Sequence, residues 1–86
     1  MIEIDELKNE NEDLVYLGDS PEQYKDAIVG LTCDSNHVVY DYDKFADCLV
    51  SEGMTYEDAY EWIEYNTLRS LPYAGAYGPI MMHSVA

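Results

Sequence analysis

The stretch Ala27-Ile28-Val29-Gly30-Leu31-Thr32-Cys33, Asp34-Ser35-Asn36, His37-Val38-Val39-Tyr40 decides the fold. Two runs rich in β-forming residues flank three turn formers, and this pattern predicts a β-hairpin. Gly30 in the first run marks a bulge or a close backbone approach. Downstream the hydrophobic period changes from two to nearly four. Tyr42, Phe45, Ala46, Leu49 and Val50 form one helical stripe, with Asp41 or Asp43 placed to cap its first turn and Gly53 placed to end it. Thr55-Tyr56-Glu57-Asp58 fits a capping box and opens a second helix. Its inner face is Tyr56, Ala59, Tyr60, Ile63 and Thr67, its outer face carries Glu57, Glu61 and Glu64, and Pro72 ends it. After the small-residue loop Tyr73–Pro79, Ile80–Val85 reads as a last strand. The expected architecture is α+β: a small antiparallel sheet, hairpin plus C-terminal strand, packed by two helices.

Upstream of the hairpin the signals are weaker. Ile2, Ile4 and Leu7 can seat a strand or one helical turn, and Leu14–Leu17 is a short apolar run halted by the turn cluster Gly18-Asp19-Ser20-Pro21. Pro21–Tyr24 reads as a single helical turn with Ser20 as its cap. The 86 residues are expected to form a single domain, 1–86, in which 1–23 is an N-terminal extension.

Charge is the unusual property. Asp and Glu number 18 against four Lys and Arg, giving −14. All 18 acids and three of the four bases lie in residues 1–64, so that part carries −15 and the tail, with Arg69 alone, carries +1. Most carboxylates must face water or a cationic partner, because a buried unpaired charge costs several kcal/mol. Such a field repels nucleic acid and anionic membrane and speeds encounter with basic proteins. It also serves solubility, with no further role needed. Neither a signal peptide nor a membrane span is expected, and the two cysteines, Cys33 and Cys48, form no disulfide framework, so a cytoplasmic setting with reduced thiols follows.

Catalytic and metal chemistry find little footing. Cys33, His37, Cys48 and His83 lack the close ligand pairs of structural zinc sites. Asp41 and Asp43 begin like a calcium loop, but Phe45 stands where a ligand is needed and no glycine follows. A Cys33–His37 pair has no orienting third group, and it reads instead as a core thiol beside a turn-flanking histidine. No phosphate-cradling loop is present. The reading is therefore non-catalytic, with no cofactor and no metal.

The acidic helical face carries the functional expectation. Asp43, Asp47, Glu57, Asp58, Glu61 and Glu64 lie on the two predicted helices. Carboxylates one turn apart stand about 5–6 Å from each other, comparable with phosphates along a nucleic-acid strand. Arg and Lys sites accept both groups, so this face can occupy a cleft built for nucleic acid. The nine tyrosines suit an interface, and Trp62 and Tyr65 are the candidate anchors beside the acids. Tyr56 and Tyr60 read as core, and Asn66 as bonded to the backbone of the Leu71–Gly75 loop.

Tyr24-Lys25-Asp26-Ala27-Ile28-Val29-Gly30, Val39-Tyr40-Asp41-Tyr42-Asp43-Lys44, Glu61-Trp62-Ile63-Glu64-Tyr65-Asn66-Thr67-Leu68-Arg69, Leu71-Pro72-Tyr73 and Pro79-Ile80 together resemble a family of small acidic proteins carried by bacterial viruses, prophages and their hosts. The resemblance spans residues 24–82, and the two cysteines belong to none of its motifs. It implies a bacterial host cell, a mobile-element setting and no catalytic residue, and it adds weight to interference with a host nucleic-acid enzyme, including an anti-CRISPR role. The expected partner is a basic nucleic-acid-binding protein, with no direct nucleic-acid or membrane contact. The alternative is a structural or assembly protein that dimerises through the uncharged C-terminal strand, using Ile80 and Met82.

Overall fold

A computed structural model describes residues 3–85. In chain order it contains α1 (Ile4–Glu10), a 3-10 turn (Lys25–Ala27), β1 (Ile28–Leu31), β2 (Val38–Asp41), α2 (Tyr42–Ser51), α3 (Tyr56–Trp62), a π-helical segment (Ile63–Thr67), α4 (Leu68–Ser70), a second 3-10 turn (Leu71–Tyr73) and β3 (Ile80–Met82). The domain is α+β, with the three strands in the order β1-β2-β3.

The hairpin forms as its composition predicts. Thr32 N–H donates to the His37 carbonyl at 3.0 Å, and Ser35, at φ 60°, takes the left-handed position of the turn. The Asp34 carboxylate accepts from the Thr32 hydroxyl and from Asn36 N–H, and those bonds hold its carboxyl below the ordinary range. Ile28 faces Tyr40 while Gly30 faces Val39, so Val29 is an extra residue in β1. Gly30 therefore accompanies a bulge. Nothing approaches the position of a β-carbon there, so close approach is not its purpose.

The sheet is mixed rather than wholly antiparallel: β3 runs parallel to β2, pairing Val39 with Ile80 and Asp41 with Met82. The chain between these strands passes through α2, α3 and the turns after them, and such a crossover returns a strand in parallel. β3 is also shorter than the expected 80–85. Its partner ends at Asp41, where the backbone turns into α2, so residues beyond Met82 have no β2 residue to pair with.

Asp41 caps α2, its carboxylate accepting from Lys44 N–H at 3.0 Å. The helix closes in a Schellman motif: Met54 N–H donates to the Leu49 carbonyl and Gly53 N–H to the Val50 carbonyl, with Gly53 at φ 112°. Thr55 caps α3 by accepting from Asp58 N–H at 3.1 Å. Helical backbone then continues, widens at Ile63–Thr67, and closes at the expected stop, with Pro72 inside the second 3-10 turn. In the widened turn the Asn66 side chain donates to the Trp62 carbonyl, the group that an α turn would offer to Asn66 N–H. Asn66 is exposed and bonded within its own helix, not to the Leu71–Gly75 loop.

The core gathers Ala27, Ile28, Val38 and Tyr40 from the sheet side with Phe45, Ala46, Leu49, Ala59 and Ile63 from the helices. Residues 3–23 belong to the same body. Ile4, Leu7 and Leu14 are buried in that core, and Val15 N–H donates to the Tyr77 carbonyl at 3.1 Å. Ile2, one of the three apolar residues expected to seat this segment, lies outside the described residues. Residues 21–24 form a turn without a Ser20 side-chain cap, followed by the 3-10 turn. Gly18 is required where it stands. At φ 90°, a β-carbon would lie 2.5 Å from the Gln23 side chain and 2.8 Å from the Tyr24 ring.

Candidate functional site: a tyrosine-ordered acidic face

The turn at Gly53 folds α3 back along α2. Asp43 and Asp47, one turn apart on α2, then meet Tyr60 and Tyr56, one turn apart on α3. The Tyr60 hydroxyl donates to Asp43 Oδ1 at 3.2 Å and the Tyr56 hydroxyl to Asp47 Oδ1 at 2.7 Å. One step further along, Tyr42 at the start of α2 donates to Glu64 Oε1 at 3.0 Å. The rings stack in file. Tyr42 and Tyr60 are nearly parallel with centroids 5.5 Å apart, Tyr56 and Tyr60 are 6.4 Å apart, and the His83 ring lies 4.5 Å from Tyr42.

These phenols remain neutral donors across physiological pH. Burial, then the bond to Glu64, pushes Tyr42 up to about 12. Burial and the bond to Asp43 raise Tyr60, and the bond to Asp47 raises Tyr56. A carboxylate oriented by a neutral donor keeps its whole negative charge, whereas one oriented by Lys or Arg is neutralised locally.

All six acids proposed from the sequence are exposed, but they fall into two sets. Asp43, Asp47 and Glu64 are held by the tyrosine file. Glu57, Asp58 and Glu61 project from the outer side of α3. Glu61 and Glu64 line an open cleft of about 580 Å³ with Tyr42, Tyr60, Tyr65 and Arg69. Asp58 and Glu61 line a neighbouring groove of about 380 Å³ with Met54, Trp62, Tyr65 and Asn66. Glu61 and Tyr65 thus form the ridge between two depressions, at the level where the helix widens. Widened turns of this kind recur at functional sites.

The two proposed anchors differ. Tyr65 is 63% exposed, with the Arg69 guanidinium 5.0 Å above its ring. Trp62 is half-buried and packs on Phe45, 6.4 Å between centroids, so only part of its surface faces the groove. Sequence reasoning missed Tyr42, Tyr56, Tyr60, His83 and Arg69 as members of this face. Tyr56, expected in the core, is 51% exposed, and Tyr60 is half-buried. The available signal was the matched four-residue spacing of Asp43/Asp47 and Tyr56/Tyr60 about a glycine turn, which a helical hairpin brings side by side.

The other candidate groups separate. Cys33 is exposed on the hairpin turn and is not the core thiol expected. His37 Nδ1 donates to the Gly78 carbonyl at 2.7 Å and fastens the C-terminal loop to the hairpin. Burial raises the Cys48 thiol, which sits half-buried on α2. Among the described residues no group of three His, Cys, Asp or Glu side chains is arranged to hold a metal ion, and no helix is long and apolar enough to cross a membrane.

Fold and site together define a small α+β domain that presents an ordered acidic face. Comparison with protein-family models, curated proteins and solved structures finds no match to this chain.

Proposed function

We propose that this protein is a non-catalytic acidic inhibitor that occupies the cationic nucleic-acid site of a basic protein. The observation that carries the reading is the tyrosine file. Three carboxylates on the α2–α3 face are held in place without being neutralised, in a chain of net charge −14. Pre-ordered acceptors lower the side-chain entropy lost on binding, about 0.5–1.5 kcal/mol for each long side chain immobilised at an interface. The field of the remaining acids speeds the encounter. The resemblance to phage and prophage proteins supplies the setting: a host or defence nuclease of the kind anti-CRISPR proteins block, met in the bacterial cytoplasm.

Affinity capture from a bacterial host lysate at low and high salt tests this, with bound proteins identified by mass spectrometry. A basic nucleic-acid enzyme retained at low salt, released at high salt, and lost by an Asp43→Asn, Asp47→Asn, Glu64→Gln triple variant is the expected result. Capture indifferent to salt and to the triple variant would remove the acidic face from the explanation.

One observation favours the second reading. β3 is an edge strand, and its Ile80 side chain is 39% exposed. Such an edge can pair with another strand, as in a homodimer. Self-association that persists in high salt and disappears in Ile80→Lys would shift the conclusion to assembly.

A further inference from the structure

The cleft bounded by Tyr42, Tyr60, Glu61, Glu64, Tyr65 and Arg69 has a chemistry of its own. Its walls are three phenol rings and two carboxylates. One of those carboxylates, Glu64, is fixed by the Tyr42 hydroxyl at 3.0 Å, and Tyr65 stands at the mouth with most of its ring in solvent. Aromatic faces attract organic cations through the ring quadrupole, and adjoining carboxylates accept their N–H groups. The chain supplies an example of the fit, since the Arg69 guanidinium already lies 5.0 Å above the Tyr65 ring. We infer that this cleft is a binding site for an arginine side chain of the partner, seated between Tyr65 and Glu64. The inference rests on the inhibitor reading for its source of arginine and adds the residue that the face grips. A planar guanidinium suits the site better than an ammonium, because it stacks on a ring while donating sideways to a carboxylate.

Arg69 gives the site a distinctive signature. Its charge competes with an incoming cation, so removing it strengthens arginine binding. A cleft built instead for an anion would depend on Arg69 and lose binding with it.

The test is an NMR titration of the whole chain with N-acetyl-arginine amide, and in parallel with N-acetyl-lysine amide. The expected result is saturable shifts centred on Glu64, Tyr65 and Tyr42, with tighter binding of the arginine probe. Tyr65→Ala should weaken it by about two- to five-fold. Arg69→Gln should tighten it, and Glu12→Gln, away from the cleft and from the acidic face, should leave it unchanged. Tyr65, Arg69 and Glu12 are all exposed, so these variants keep the fold. Shifts spread evenly over the acidic surface, equal binding of the two probes, or weaker binding in Arg69→Gln would each overturn the site. The titration uses no partner protein. A captured nuclease without arginine binding would therefore sink the cleft alone, and arginine binding without a captured partner would sink the inhibitor reading alone.

Discussion

Two sets of tyrosines in this chain use the same hydroxyl in opposite ways. Beneath and beside the sheet, the phenol oxygens accept. Tyr40 takes a bond from Leu17 N–H at 3.0 Å and Tyr24 takes one from the Gln23 side-chain amide at 3.1 Å. The buried Tyr16 hydroxyl has no partner among the described residues. Along the α2–α3 rim, Tyr42, Tyr56 and Tyr60 donate, each to a carboxylate. The first set closes the core and leaves no charge behind. The second holds charge at the surface without cancelling it. A chain with four cations and 18 acids cannot order its carboxylates by ion pairs, and neutral donors are the remaining means.

Phe45 anchors the sheet-side set, its ring 4.5 Å from Tyr24, 6.1 Å from Tyr40 and 6.4 Å from Trp62. The largest expected effect is therefore Phe45→Ala. Deleting a fully buried ring costs about 3–5 kcal/mol, a large part of the stability of a small domain, and should appear as an early denaturant midpoint. Removing the phenyl takes the shared ring away from Tyr24 and Tyr40, so the loss should fall on the sheet-side set. A variant that keeps the wild-type midpoint would mean that the sheet-side set does not depend on this ring.

Tyr40→Phe comes next. The ring stays, but Leu17 N–H loses its acceptor, and an orphaned donor costs about 1–3 kcal/mol. The same residue, with Tyr42, governs alkaline stability. Burial pushes both phenols up to about 12, against an unfolded value near 10. The unfolded chain loses these protons first, and the half-buried Cys48 thiol adds an earlier step, so stability should begin to fall above about pH 9, fall most between about 10 and 12, and level off beyond. Equilibrium unfolding at stepped pH checks this, and in Tyr40→Phe the alkaline fall should be shallower.

How far the comparison was legible beforehand follows from the range of the forces involved. The hairpin, the bulge at Gly30, the Asp41 and Thr55 caps and the glycine closure at Gly53 are local, and local residue types specify them. The direction of β3 depends on what the chain does between Asp41 and Ile80, and a three-residue strand carries no mark of its orientation. The burial of Ile4, Leu7 and Leu14 was obscured by the acids around them, since an acidic segment with three spaced apolar residues reads equally as a solvated extension. The acidic face was legible as a list of residues. The tyrosine file was not, because Tyr56 and Tyr60 sit on the inner stripe by periodicity and only the crossing of α3 over α2 brings their hydroxyls to Asp47 and Asp43.

Tyr16→Phe sharpens the contrast from the core side, with the opposite sign to Tyr40→Phe. Burial raises Tyr16, and its hydroxyl is held from water without a partner. Exchanging a buried, unbonded hydroxyl for hydrogen should leave stability unchanged or raise it by about 1 kcal/mol. A loss comparable to that of Tyr40→Phe would show that Tyr16 has a partner and that the sheet-side set is uniform.

The smallest change in stability belongs to the rim, and it separates stability from binding. Tyr56 is 51% exposed, so Tyr56→Phe should alter unfolding free energy by no more than about 0.5 kcal/mol. Its effect should appear in affinity. Without the 2.7 Å bond from Tyr56, the Asp47 carboxylate samples all its rotamers and must be ordered when the partner arrives. For a side chain as short as Asp that ordering costs about 0.5 kcal/mol, or roughly a two-fold loss in affinity for the captured protein, with net charge and salt dependence unchanged. Tyr60→Phe should act alike through Asp43. If both variants bind as the wild type does, the rim hydroxyls do not organise the charge, and the two tyrosine sets differ in burial alone.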